Sequence, residues 1–531
     1  MFKTTTLIFL AVLLFPVSVL AADKNYATLV FPVRGREFWR QSKDISHLDD
    51  LVSIIKSSGY PSTWLLHYDT LSDDQVVSTL KTIPTSELGL FLEVTRNLAL
   101  DSFVNYPWET EKWERADKVF LSGYDPSDRI KLIDTTFNRF KEVFGSYPVS
   151  IGAWYIDSRS LDYLYRRYHV QIILGVSDQY LTDGYQIWGQ YVGEPYYPSI
   201  SSAIEPALGT ADKIGPVKIQ WAAREPLLSY GAGVQYSNFS VQVNDYVRYQ
   251  RQDRAYLDRL LRLYTTGLDL PLAQITLGVE VGELENQYFP ALAEEFAVAR
   301  DLGLTFTTMS QFAKAYQQTY PDTSPSYSIT STIGDRSLTW FQSPKYRTAI
   351  LEQNGTKTLV DLRQYHTSRY YDNDWSMADR RQNLYRVVPA LVDQVGLGNS
   401  RPLDTLPDFS PRIPSLPPRL SALDRFKLFM FRLVPDIRAS KLDGRWVFGL
   451  ATGPETLCFI GCASYEYPVL EAFLSLRRTL TPQVAYFAAW QDTLPASGSP
   501  VIKNSPYGID AMTRELLIPK SFENSYFLIQ I

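Results

Sequence analysis

Short apolar runs and amphipathic stretches alternate along this chain from about residue 25 to residue 320. Runs rich in apolar and β-branched residues stand at 26–33, 62–68, 87–94, 150–156, 170–176, 217–222, 274–281 and 304–308, each short enough for a buried strand. Stretches with helical spacing lie between them, at 45–56, 129–144, 161–168, 246–264 and 292–301. In the second of these, Ile130, Ile133, Phe137, Phe140 and Phe144 share a face, and Asp125-Pro126-Ser127 gives an N-terminal cap signal. Such regular alternation predicts an α/β protein with parallel strands, here a (β/α)7-8 barrel. An open doubly wound sheet is the competing arrangement, but no Gly-rich phosphate loop follows the first run.

The pattern changes after residue 322. "YPDTSPSYS" is a turn-rich linker, and the segments that follow, "RSLTWFQS" and "YRTAILEQNGTKTLVDLRQY", alternate with period two around a hairpin signal at Asn354-Gly355. A β-rich, sandwich-like accessory region is therefore expected over 323–531, with a Pro-rich break near 402–418. The chain then divides into a leader at 1–21, a barrel at 22–322 and this region.

Composition narrows the classes. With 531 residues, 45% hydrophobic and 21% charged, the chain is a folded protein with more than one core's worth of sequence. The net charge of −5 and the lack of a basic run exclude nucleic acid as the expected partner. Lys3 precedes an apolar stretch at 7–20 that is followed by Ala21 and Ala22, the pattern of a cleaved signal peptide, and no other stretch is apolar enough to span a bilayer. A secreted or periplasmic protein, associated with the cell envelope, is the expectation. The two cysteines, Cys458 and Cys462, suit a small hairpin disulfide in that compartment and lack the neighbours of a zinc site.

In a βα barrel, ligands bind where the strands end, so the polar residues after each run converge on one mouth. Those residues are Arg34 and Glu37, His67 and Asp69, Glu93 and Arg96, Trp154 and Asp157, Asp178 and Gln179, Trp221, Arg224 and Glu225, and finally Glu280 and Glu283. Acids for proton transfer or attack, arginines for polar groups and indoles for ring faces together predict a carbohydrate ligand and no cofactor. The candidate catalytic acids are Asp157, Glu280, Glu93 and Asp178. Each candidate has a plainer role open to it. Asp157 can cap the helix that follows, Asp178 a turn, Glu280 can pair with Arg34 or Arg96, His67 can be a hydrogen-bonded structural residue, and Trp154 and Trp221 can be core. The loop 183–199, "DGYQIWGQYVGEPYYPS", offers Trp188, Tyr196 and Tyr197 either as a sugar-stacking lid or as rings packed on the barrel.

The phrases "YPVSIGAWYID", "SDQ", "ITLGVEVG" and "LGLTFTTMSQF", in this order, resemble the glycoside hydrolase/polysaccharide deacetylase barrel superfamily, and "QWAAREP" resembles a secreted bacterial branch of it. The resemblance implies an enzyme acting on a glycan. Metal-dependent deacetylases of this superfamily carry an Asp pair after the first strand and an H-x-x-x-H pair after the third. Here those places read "FPVRGREFW" and "LFLEVTRNLA", and His47, His67, His169 and His366 show no metal-ligand spacing. No metal is therefore expected. Similarity to glycoside hydrolase family 57 implies instead a carboxylate nucleophile near Asp157 and an acid/base carboxylate at Glu280. An inactive glycan-binding barrel and a divergent deacetylase are the alternatives.

Overall fold

The computed structural model describes residues 24–39, 43–107, 114–182, 185–232, 238–365, 384–388 and 390–396, and short strands beyond them. Parallel strands wrap into a nearly closed barrel, beginning with β1 (Lys24–Val33), β2 (Ser62–Leu66), β3 (Ser86–Phe91), β4 (Ser150–Gly152) and β5 (Ile172–Val176). An antiparallel ribbon of β6 (Gln179–Thr182) and β7 (Tyr185–Trp188) then leaves the barrel, which β8 (Val217–Trp221), β9 (Leu272–Leu277) and β10 (Thr305–Thr307) complete. Every residue of β2, β5, β8 and β9 is buried, as expected of parallel strands covered on both faces. The long strand β1 organises the ring: its first half pairs with β9 and β10, its second half with β2. All eight runs read from the sequence are strands of this sheet.

No ladder joins β8 to β9 among the described residues. The aromatic loop fills that seam. Tyr196 exchanges backbone hydrogen bonds with Lys218 at 3.0 and 2.8 Å, and Gln220 Nε2 donates to the carbonyls of Tyr191 and Glu194. From the other side, the Gln274 backbone N–H faces the Glu194 carboxyl group. This loop is a wall of the barrel.

Helices α1 (Ser46–Ser58), α2 (Asp74–Lys81), α3 (Arg96–Asp101), α4 (Ala116–Val119), α5 (Pro126–Phe144), α6 (Ser158–Tyr168), α7 (Arg254–Leu263), α8 (Phe289–Asp301) and α9 (Met309–Thr319) cover the strands. On α5 the buried stripe is Leu132, Ile133, Thr136, Phe137 and Phe140, whereas Ile130 is 41% exposed and lies off the face assigned to it. The long helical stretch at 246–264 is broken in two, because Asp253 caps α7 by accepting the N–H groups of Ala255 and Tyr256.

Beyond α9, β11 (Tyr327–Ile333), β12 (Arg336–Gln342), β13 (Tyr346–Gln353) and β14 (Thr356–Gln364) form an antiparallel sheet, with Asn354 and Gly355 at φ 51° and 75° in the tight turn expected of them. A further strand, β15 (Leu384–Val387), pairs with β7, while β16 (Ala390–Asp393) and β17 (Arg401–Pro402) pair with β14. The sheet of β11 to β14 with β16 and β17 is laid on the barrel, with Tyr327, Ile329, Leu338, Trp340 and Val360 in the same core as the barrel's own side chains, and the strands beyond Pro402 form two further three-stranded sheets. Charge joins the two parts as well. Arg347 on β13 donates to Asp178 at 2.5 Å and to Asp361 at 3.1 Å, and Arg363 links Asp361 to Asp393, all of them buried. Cys458 and Cys462 lie on one strand, Cys458–Cys462, and not across a hairpin.

Candidate functional site

Arg34, on the turn out of β1, is the centre of the mouth. Its Nε and Nη2 donate to Glu93 at 2.8 and 2.9 Å, a bidentate pair, and its Nη1 pairs with Glu280. Burial works against the guanidinium charge, but Glu93 and Glu280 outweigh it and hold Arg34 protonated. The cation also lies 5.9 Å from the Phe91 ring and 5.8 Å from Trp154, which in turn meets Trp221 at 5.6 Å. Glu93 is sealed in, with 2% of its side chain exposed, whereas Glu280 keeps 17%.

Backbone geometry after β9 places Glu280. Gly278 has φ +141°, and a Cβ there would stand 1.9 Å from the Val30 carbonyl oxygen. Gly282, at φ +91°, is pressed against the Trp39 ring. Between them the chain follows β1, with Val281 N–H bonded to Pro32 O at 2.9 Å, so Glu280 turns toward Arg34. His47 secures the far end: its Nε2 accepts the Gly282 N–H, its Nδ1 meets Asn286 Oδ1 at 2.7 Å, and burial lowers its pKa. That pattern fits the neutral ring with its proton on Nδ1.

Beside this cluster a cavity of about 570 Å³ opens over the ends of β1, β2 and β3, lined by Glu37, Tyr68, Asp69, Asp73, Asn97 and Asp101, among others. Asp69 Oδ1 accepts from Asn97, and Tyr68 donates to Asp101 at 2.7 Å. Partial burial and the nearby carboxylates Asp69 and Asp73 push Glu37 above the usual carboxylate range. His67 connects cavity and mouth. Its ring, buried beneath the edge of Phe38, lies with Nδ1 3.7 Å from Asp69 Oδ2 and Nε2 3.6 Å from Glu93 Oε2.

The structure thus brings together Arg34, His67, Glu93, Trp154, Trp221 and Glu280. Other candidates are engaged elsewhere. Asp157 is fully buried at the start of α6, where it accepts from Ser160 N and Oγ at 2.9 and 2.6 Å and faces Arg129 at 3.2 Å. Asp178 accepts the N–H groups of Gly189 and Gln190 and the Arg347 guanidinium. Gln179 begins the β6 ribbon, and Arg224 donates to the Asp178 carbonyl and faces Asp245. Trp188 is buried against Arg347, with the cation 5.4 Å from its ring. Tyr196 and Tyr197 are buried as well, their hydroxyls donating to Ala203 O and Tyr320 O. Arg96 is exposed in the first turn of α3. The cavity residues Tyr68, Asn97 and Asp101 were not among the sequence candidates. The acid-rich phrase "HYDTLSDD" after the second run was the available signal for that wall.

The residues present do not fit a deacetylase-type metal. Arg34 fills the space between Glu93 and Glu280 with a covalently held cation, and among the described residues no three His, Cys, Asp or Glu side chains converge on a metal position.

No family model and no curated protein matches the chain. Among solved structures it is similar to a protein from Parabacteroides distasonis provisionally named a glycoside hydrolase/deacetylase, with 14% identity, a TM-score of 0.51, and coverage of 77% of this chain and 98% of that one. The chain shares that fold. A provisionally named polysaccharide deacetylase from Mycobacterium smegmatis matches 56% of this chain and 92% of its own length, at 14% identity and a TM-score of 0.34. The first match covers more of the chain than the barrel alone occupies.

Proposed function

We propose that the protein is a carbohydrate-active hydrolase whose site is the Arg34–Glu93–Glu280 cluster together with the cavity over β1 to β3. The observation that carries this reading is the pair of carboxylates from two strand ends held by one buried arginine beside a cavity walled by acceptors. Glu280, paired with Arg34 and partly open to solvent, suits attack or stabilisation of a developing oxocarbenium charge. Glu93 fixes Arg34 from behind. The carboxylates and the Tyr68 hydroxyl in the cavity wall suit a hydroxyl-rich ligand. The fold likeness supports a glycan as the substrate class, and the apolar leader at 7–20 supports a site of action outside the cytoplasm. No helix among the described residues is long and apolar enough to cross a membrane.

A second reading has one observation in its favour: both mouth carboxylates are already paired with Arg34, which suits a barrel that binds glycan without cleaving it. A panel of cell-envelope and storage glycans, assayed for released reducing ends and for bound glycan, separates the two. The hydrolase reading expects reducing ends from the wild type and a loss of about 10³-fold in Glu280→Gln with the fold intact. Saturable binding without product in the wild type would leave the binding reading, and turnover equal in both proteins would remove Glu280 from the mechanism.

A further inference from the structure

His67 is enclosed by charge and makes no hydrogen bond. Its side chain is 2% exposed, neither ring nitrogen has a partner within hydrogen-bond distance, and Asp69 Oδ2 on one side of it is buried and without a donor. A neutral imidazole has one N–H and one lone pair, yet both of its nitrogens face carboxylate oxygens. Whichever tautomer is present, one lone pair points at an acceptor, so the array Asp69–His67–Glu93 is one proton short of a satisfied arrangement. An unsatisfied buried group of this kind calls for a reason, and at 3.6 and 3.7 Å a small contraction on ligand binding turns both approaches into hydrogen bonds.

We propose that His67 carries a proton between Glu93, in the mouth, and Asp69, in the cavity wall, and so sets the state in which Asp69 meets a ligand. With the extra proton on the ring, both N–H groups point at carboxylates. A proton on Glu93 Oε2 passes to Nε2, the O–H bond breaking as the Nε2–H bond forms; in the delivering step the Nδ1–H bond breaks and an O–H bond forms on Asp69 Oδ2, so that Glu93 is left ionised, Asp69 neutral and the imidazole neutral with its remaining proton on Nε2. The reverse step restores both groups. The groups around the ring oppose one another. Burial, and Arg34 from the end of β1, push its proton affinity down, while Glu93 and Asp69 push it up, with burial dominant. His67 is thus a positioning residue that acts through Asp69. The link itself stands on the geometry, and only its use in turnover rests on the hydrolase reading above.

The test is the titration of the full chain labelled with ¹⁵N at its four histidines, followed by NMR from pH 4 to 9 in the wild type and in Asp69→Asn. His67 is assigned by loss of its signals in His67→Gln. The proposal expects the His67 midpoint to fall in Asp69→Asn, because a carboxylate that favours the charged ring is gone. A His67 signal that stays in one neutral tautomer throughout and ignores the substitution would overturn it. On any glycan that the wild type cleaves, His67→Gln is expected to lower kcat by roughly 10²-fold and to flatten one limb of its pH profile, and an unchanged profile would also overturn the proposal. A His67 that responds to Asp69→Asn in a protein that cleaves nothing would sustain the link and defeat the hydrolase reading alone.

Discussion

Among single residues, the chemistry of the mouth turns on which buried acids are free to act. Asp157 and Glu280 look alike in the sequence, each an acid just past an apolar run. Asp157 is spent on its surroundings: it caps α6 and faces the buried Arg129. Asp157→Ala is therefore expected to cost about 3–5 kcal/mol in urea unfolding, since it leaves Arg129 buried without its partner and removes a helix cap. A variant that unfolds like the wild type would show that the cap and the pair matter little. The choice between cap and catalyst was open in the sequence because the motif for both is the same, an acid followed by a short amphipathic stretch. The partner that Asp157 meets, Arg129, lies on α5, 28 positions earlier in the chain, and only the fold makes it a neighbour. Glu280 was more legible, since an acid inside the run "ITLGVEVG" needs a partner, and Arg34 was one of the two arginines expected to supply it.

At the scale of elements, the eight barrel strands were legible because each is a short apolar run between amphipathic stretches. The ribbon of β6 and β7 and the seam beside β8 were not. Their signal is a loop crowded with Gly, Pro and Tyr, and such a composition does not tell a lid from a wall. What makes it a wall is the free edge of β8, whose backbone groups need partners that β9 does not provide. Glycine geometry acts at the same scale after β9. Gly278→Ala places a methyl group against the Val30 carbonyl at a positive φ, and should destabilise the protein by about 2–4 kcal/mol while moving Glu280 off Arg34. Denaturant unfolding measures the first effect. Stability equal to that of the wild type would mean that the turn relaxes without loss.

At the scale of the whole molecule, barrel and sheet share a core and a buried ionic network, so Asp178 serves the junction with Arg347 while Glu280 serves the mouth with Arg34. The change from helical to period-two patterning near residue 322 is visible in the sequence, and α9 gives way to β11 over the same stretch. The sequence carried no trace of the network, whose members are scattered from Asp178 to Asp393 and read singly as ordinary charged residues. The same division of labour locates the site on one side of the barrel. Hydrogen–deuterium exchange of the full chain, with and without a mixture of cell-envelope and storage oligosaccharides, tests that location directly. The account predicts slowed exchange at 34–39, 67–75, 93–101 and 278–283, the segments that carry Arg34, His67, Asp69, Glu93 and Glu280. Protection confined to 183–199, or none at the ends of β1 to β3, would contradict it.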